Sequence, residues 1–265
     1  MTLALACCGE SNPPGGTGPG KDSVSAAAQE TRACTLVMGW DPWEPYQYRV
    51  DDAHVFGLDV DLLTAVVSNA GCTIEFRQES WSALLEMLKV GEVDLLAGAT
   101  LTVERQEFAR FTDAYRDEEF VVYVRADRLE ELSRLTFREI LEQGMKVGVV
   151  EGYLYGEPVS MFQDDSALGQ QFEYSSMSET SISLLLDGEV DAIIEDKYVG
   201  ASIIRRKNLA ESVKLHPVRF DKSNVHFMLS RASVDAELFE RINSSLNRLL
   251  EGGQIQMILA QYQNQ

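Results

Sequence analysis

Arg105 closes the run Gly98-Ala-Thr-Leu-Thr-Val-Glu-Arg105, which sits directly beyond a short apolar stretch, residues 93–97. Each residue type there suits one contact with an anion. A glycine lets backbone approach a ligand, the Thr100 hydroxyl can donate, and a planar guanidinium matches a carboxylate through two parallel N–H bonds. A second apolar stretch, residues 191–195, ends at Asp196, whose carboxylate can take an ammonium. Arginine and aspartate on facing surfaces would grip a zwitterion at both ends. The plainer alternative is a surface Arg105 paired to Glu104 or Glu107, which contributes little. Aromatic residues complete the set: Trp40-Asp41-Pro-Trp43-Glu-Pro-Tyr46-Gln-Tyr48 follows the first apolar stretch, and Trp81 opens a helical pattern. Flat rings at such places hold an aliphatic or aromatic side chain or stack on a cation, unless Trp43 and Tyr46 only pack the fold.

Other chemistry is missing from the chain. It has no GxSxG elbow, no GxxxxGK[ST] phosphate loop and no GxGxxG after a strand. His54, His216 and His226 are scattered and no CxxC or HxxxH spacing occurs, so no metal site, cofactor or catalytic set is expected. With 42 acidic residues and a net charge of −19, a coincidental carboxylate pair is common, and none is assigned an acid/base role. The same charge argues against nucleic acid, whose phosphates need clustered Lys and Arg.

These residues need a scaffold, and the scaffold is written twice. Gly-Glu-Val-Asp occurs at Gly91 to Asp94 and again at Gly188 to Asp191, each time between an amphipathic helix and a buried apolar run. Helix, glycine stop and buried strand describe one αβ unit, repeated. In open α/β sheets ligands lie beyond the carboxyl ends of the strands, which selects Gly98, Ala99 and Thr100 in one half and Glu195 and Asp196 in the other. Strands at 35–40, 73–78, 93–97 and 120–125 alternate with helices at 59–69 and 82–90, and a further helix opens at Thr102. The series restarts with helices at 136–143, 158–162, 180–186 and 198–206 and strands at 146–150, 172–175 and 191–195. Strands at 213–218 and 226–229 precede two helices over 234–263, broken at Gly252-Gly253. The expected division is one lobe of residues 34–125 plus 220–265 and another of 126–219. Two crossings make a hinge and a clamshell.

Met1-Thr-Leu-Ala-Leu-Ala-Cys7-Cys8 reads as the end of a lipoprotein signal, residues 1–8, with anchoring through Cys7 or Cys8 outside the cytoplasmic membrane. Residues 9–33, rich in Gly, Pro and Ser, read as a tether. Cys34 and Cys72 begin two predicted strands, and neighbouring parallel strands would bring them together as a disulfide or as two buried thiols.

Five motifs in order, Gly57-Leu-Asp59-Val-Asp61-Leu, Trp81-x-x-Leu84-Leu-x-x-Leu88, Gly91-Glu-Val-Asp94, Thr102-x-Glu-Arg105 and Phe111-Thr-Asp-x-Tyr115, closely resemble the family 3 extracytoplasmic solute-binding proteins, the amino-acid receptors of ABC importers. The resemblance spans about Cys34 to Tyr262. It implies an α/β fold of the type II periplasmic-binding-protein kind: a two-lobed clamshell, each lobe a mainly parallel sheet flanked by helices, joined by a two-strand hinge. It further implies a monomer that closes on a free amino acid, needs no cofactor and works with an ABC permease. Carried over by position, Trp43 and Trp81 would flank the ligand side chain and Asp41 would approach its polar end. Gly98, Thr100 and Arg105 would hold the α-carboxylate, and Asp196 the α-ammonium. One position departs from the family. Where the family usually has a Gly followed by Ser or Thr donors, this chain reads Gly152-Tyr153-Leu154-Tyr155-Gly156, so a bulky Tyr153 is expected to line and reshape the pocket. Two other functions use the same scaffold: an enzyme similar to the cyclohexadienyl dehydratases, with Glu195 or Glu151 as acid or base, and a sensory module serving a membrane receptor.

Overall fold

The computed structural model describes residues 34–51 and 54–263, so the expected signal remnant, residues 1–8, and tether, residues 9–33, lie outside the described residues. The chain opens with β1 (Cys34–Trp40), a small pair β2 (Tyr48–Arg49) and β3 (Val55–Phe56), α1 (Leu58–Asn69), β4 (Cys72–Gln78), α2 (Trp81–Val90) and β5 (Leu95–Ala99). A short α3 (Val103–Gln106) leads to β6 (Ala109–Phe111), β7 (Arg116–Glu118) and β8 (Phe120–Arg125). Then come α4 (Leu129–Leu132), α5 (Phe137–Glu142), β9 (Val147–Val150), α6 (Val159–Asp164), β10 (Phe172–Ser175), α7 (Ser178–Asp187), β11 (Ala192–Asp196) and α8 (Lys197–Arg206). The chain finishes with β12 (Val213–Arg219), β13 (Ser223–Ser230), α9 (Ala236–Glu251) and α10 (Gln254–Gln263).

Two sheets organise these elements, in the orders β4-β1-β5-β13-β6, with β7 also on β13, and β10-β9-β11-β8-β12. Both sheets are mixed. The first three strands of each run parallel, and the strands that carry the chain between lobes join antiparallel. Strand pairing assigns β8 to the second sheet, so the outward crossing falls between β7 and β8 rather than after Arg125. The reason is burial: Phe120, Val122 and Val124 pack on one face of the second sheet with Ile140, Val149 and Ile194, while Val121 and Tyr123 on the opposite face share a cluster with Ile193, Val199 and Ile203 of the same lobe, a two-sided burial typical of a central strand. The return crossing runs through residues 220–222, between β12 and β13. The strands β6 and β7 were not anticipated, since residues 109–118 carry a helix-like charge pattern instead of β-branched alternation.

The repeated Gly-Glu-Val-Asp does the same work in both lobes. Gly91 ends α2 with φ 79° and Gly188 ends α7 with φ 76°, left-handed conformations that L side chains rarely adopt. Val93 and Val190 are buried beneath the turn. The aspartate then clamps the neighbouring parallel strand. The Val37 N–H donates to Asp94 Oδ2 at 2.7 Å while the Asp94 N–H donates to the Val37 carbonyl at 2.9 Å. Likewise the Lys146 N–H donates to Asp191 Oδ2 at 3.0 Å and the Asp191 N–H to the Lys146 carbonyl at 2.8 Å. A carboxylate that accepts from the N–H of the same residue whose carbonyl takes the aspartate's own N–H sets the depth at which each helix-strand unit meets its sheet.

Helix α1 turns Leu62, Leu63, Val66 and Val67 into the first core with no exposure, each contributing up to about 1.5–3 kcal/mol. Helix α9 covers it with Ile242, Leu246 and Leu249, and the Ser245 hydroxyl donates to the Val66 carbonyl at 2.7 Å. Cys34 and Cys72 stand opposite each other in the parallel register of β1 and β4 and form a disulfide. It closes a sequence separation of 38 residues. Its removal in the double variant Cys34→Ser, Cys72→Ser is expected to cost about 2–4 kcal/mol of unfolding free energy from the loss of chain constraint. Denaturant unfolding measures this, and an unchanged midpoint would refute it.

Candidate functional site

The carboxyl ends of β1 and β5, the start of α2 and the turn after β9 meet in one place. Ser80 caps α2 by accepting from the Ala83 N–H at 3.4 Å, which places Trp81 at the first helical position facing the second lobe. Thr102 caps α3 through the Arg105 N–H at 3.1 Å and so aims the arginine inward. Seven of the eight residues singled out above line a single cavity here: Asp41, Trp43, Trp81, Gly98, Thr100, Arg105 and Tyr153. Gln47, Glu118, Phe120 and Leu154 also line it. The space enclosed is about 30 Å³, room for roughly one water molecule.

Arg105 is buried and has no carboxylate within ion-pair distance among the described residues, contrary to the alternative that paired it to Glu104 or Glu107. Its Nη1 donates to the Thr100 carbonyl at 3.1 Å and its Nη2 to the Gly152 carbonyl of the other lobe at 2.8 Å. Burial lowers its pKa to about 10, which leaves it cationic at neutral pH. The guanidinium lies 5.7 Å from the Trp81 ring centre, and the Trp81 Nε1 donates to the same Gly152 carbonyl at 3.1 Å.

Tyr153 follows Gly152 and enters between the two tryptophans. Its ring is edge-on to both, 5.9 Å from Trp43 at 78° and 6.1 Å from Trp81 at 89°. Its hydroxyl donates to Asp41 Oδ2 at 2.9 Å, and Gln47 Nε2 donates to Asp41 Oδ1 at 3.0 Å. Trp43 Nε1 in turn donates across the cleft to Glu195 Oε1 at 3.4 Å.

Behind this layer Gly98 is held tightly. Its N–H donates to the Tyr115 hydroxyl at 2.8 Å, and a Cβ there would lie 3.2 Å from Trp43 and 3.4 Å from Arg116 and Asp59. Arg116 makes a bidentate pair with Asp59, both bonds 2.8 Å, and its guanidinium sits 3.8 Å from the centre of the Tyr46 ring.

Asp196 differs from expectation. It does not line the cavity, because it ends β11 and caps α8: Oδ1 accepts from the Tyr198 and Val199 N–H groups at 2.9 and 3.1 Å, and Oδ2 from the Tyr46 hydroxyl at 3.3 Å. A carboxylate at a strand-to-helix junction collects the orphan donors of the first turn. Glu118 on β7 provides a carboxylate at the cavity wall instead, and its Oε1 accepts from the hydroxyls of Thr100 at 3.3 Å and Ser223 at 3.2 Å. In sequence Glu118 belongs to the run Arg116-Asp-Glu-Glu119, which reads as a solvated charge patch. Only the interlobe crossing buries it. Glu195 is fully buried but meets Trp43 and the Asp196 N–H, and Glu151 is exposed, so neither lines the cavity as an acid or base would.

Comparison with known proteins adds relatives to this geometry. Residues 36–265 match the family model described as bacterial extracellular solute-binding proteins, family 3. A probable histidine-binding protein of Neisseria gonorrhoeae is 26 % identical over 262 residues, covering 98 % of this chain and 91 % of that one. The arginine-binding extracellular protein ArtP of Bacillus subtilis is 23 % identical over 265 residues, covering 97 % and 92 %. Among solved structures, an ancestral arginine-binding protein bound to arginine superposes with a TM-score of 0.73 at 24 % identity, covering 86 % of this chain and 97 % of that one.

Four carboxyl groups gather around the cleft, and burial is the leading cause of the raised pKa of each: Asp41 and Asp196 to about 6, Glu118 to about 7 and Glu195 to about 8. The folded form therefore holds protons that the unfolded chain has lost. The stability they contribute is fully present below about pH 4 and is lost as pH rises through 6 to 8. Between pH 6 and 8.5 exposed carboxylates are already ionised, so the melting temperature is expected to fall across this window. Glu195→Gln, which stays neutral throughout, should flatten the decline. Parallel melting curves for the two proteins across that window would refute this assignment.

Proposed function

The chain belongs to the bacterial extracellular solute-binding proteins of family 3, and on that premise we propose that it captures a free amino acid, or a related zwitterion, between its lobes for delivery to the permease of an ABC importer. One observation carries this reading: Arg105 is a buried cation at the lobe interface whose N–H groups rest on carbonyls, with no carboxylate within ion-pair distance among the described residues. A ligand carboxylate that replaced those neutral acceptors would convert ordinary hydrogen bonds into a charge-assisted, bidentate pair. Thr100 and the backbone at Gly98 flank that position. Glu118 stands nearest for the ammonium, Trp43 and Trp81 for the side chain, and Asp41 for its polar end. The arrangement favours closure around the ligand, since groups from both lobes are satisfied together, and a closed form stabilised by ligand is what a permease would select. The protein would act as a monomer outside the cytoplasmic membrane, anchored through a lipidated Cys7 or Cys8. The relatives named for histidine and arginine make these two the first ligands to try.

Calorimetric titration of protein freed of ligand by unfolding and refolding tests the reading. Binding of at least one amino acid with a submillimolar dissociation constant is expected. Arg105→Ala should weaken it by about 1.5–3 kcal/mol, or roughly 10- to 150-fold. An Arg105→Ala variant that binds as well as the parent would refute the site.

A further inference from the structure

Three contacts made by the second lobe imitate what an amino acid would bring to the first. The Gly152 carbonyl is an acceptor on the Arg105 guanidinium, at 2.8 Å. The Tyr153 ring is a flat group between Trp43 and Trp81. The Tyr153 hydroxyl is a donor to Asp41, at 2.9 Å. The cavity left beside them is about 30 Å³, against a few hundred for a site that encloses a small molecule. A ligand held by Arg105, the two indoles and Asp41 and the ring of Tyr153 cannot occupy that space together.

We propose that Tyr153 is an internal competitor for this site, whose displacement sets an affinity threshold that a cationic amino acid meets at Asp41 and a neutral one of the same shape does not. The inference rests on the amino-acid site described under Proposed function. Its logic lies in what each ligand leaves behind. Asp41 is buried, its Oδ1 is met by Gln47 and its Oδ2 by the Tyr153 hydroxyl. When the ring leaves, a cationic side chain returns a charge-assisted hydrogen bond to Oδ2, stronger than the phenol it replaces. A neutral side chain returns a weaker bond or none, and the buried carboxylate is left underpaired. At Arg105 both ligands gain alike, because both carry the α-carboxylate. The displacement cost is therefore common to every ligand, and only those with a cation recover it at Asp41. The contact at Asp41 then sets the preference between ligands, and the competitor sets how weakly the less favoured one binds.

Arginine and citrulline are suitable probes, since they share length and planarity and differ in charge. Their dissociation constants are measured by calorimetry on ligand-stripped wild type, Tyr153→Ala and Tyr153→Phe. Wild type is expected to favour arginine strongly. Tyr153→Ala should bind both ligands more tightly by a similar factor of about tenfold, because the cost removed is common to both, and citrulline should thereby rise into the measurable range. Tyr153→Phe, which keeps the ring but not the hydroxyl, should fall between, and it provides the answer if the alanine variant melts too low to titrate. Weaker or unchanged binding of both ligands by the variants overturns the proposal by making Tyr153 an ordinary wall. Arg105→Ala run alongside separates the two levels: loss of arginine binding there with no tightening in the Tyr153 variants sinks the competitor alone, whereas indifference to Arg105→Ala sinks the site itself.

Discussion

Asp59 and Arg116 meet out of contact with water, and four segments of the chain come together only because they do. Asp59 lies in the first turn of α1, where the helix dipole favours an anion, and Arg116 lies on β7 at the start of the outward crossing. The guanidinium stacks on Tyr46 from the loop that carries Asp41 and Trp43, while Tyr115 next to it takes the Gly98 N–H at the end of β5. An ion pair so buried has little net worth against an apolar replacement, but losing one partner leaves a stranded charge and costs about 3–5 kcal/mol. Its value here is therefore geometric. It fixes the loop, the strand end, the helix start and the hinge in one register, and the wall of the cleft inherits that register.

Much of this was legible in the sequence because it depends on local rules. The stop glycines Gly91 and Gly188 and the aspartates Asp94 and Asp191 mark two equivalent units, and the structure gives each aspartate a backbone N–H of the neighbouring parallel segment in its own lobe. The positions of Trp81 and Arg105 followed from helix starts beyond strands. What was not legible depends on lobes meeting. The membership of β8 in the second sheet, the burial of Glu118 and the entry of Tyr153 between two indoles all arise from contacts more than thirty residues apart in sequence or across the cleft. Asp196 is a different case. Its sequence position satisfies two jobs, ligand acceptor and helix cap, and the structure fills the second.

The contacts that hold the lobes together are unequal. At the rim, Arg206 Nε pairs with Glu44 at 2.8 Å and Arg205 reaches the same carboxylate at 3.5 Å, but the arginine side chains are 40 % and 67 % exposed and such pairs are screened. Deeper in, Gly152 and Tyr153 engage Arg105, Trp81 and Asp41 with less access to water, where each hydrogen bond is stronger and each unmet group costlier. Closure is thus decided in the cleft rather than at its edge, by groups that a ligand would also use.

The disulfide at the head of β1 has a mechanical side. Any load applied at the N-terminal end of β1 enters the strand at Cys34, and there the covalent bridge to Cys72 divides it between two adjacent strands. Strand β1, paired on one side to β4 and on the other to β5, is thereby spared from being peeled hydrogen bond by hydrogen bond out of the middle of its sheet. Tension is shared by shear across β1 and β4 together, and the loop that carries Asp41 and Trp43 beyond the far end of β1 is shielded from the pull.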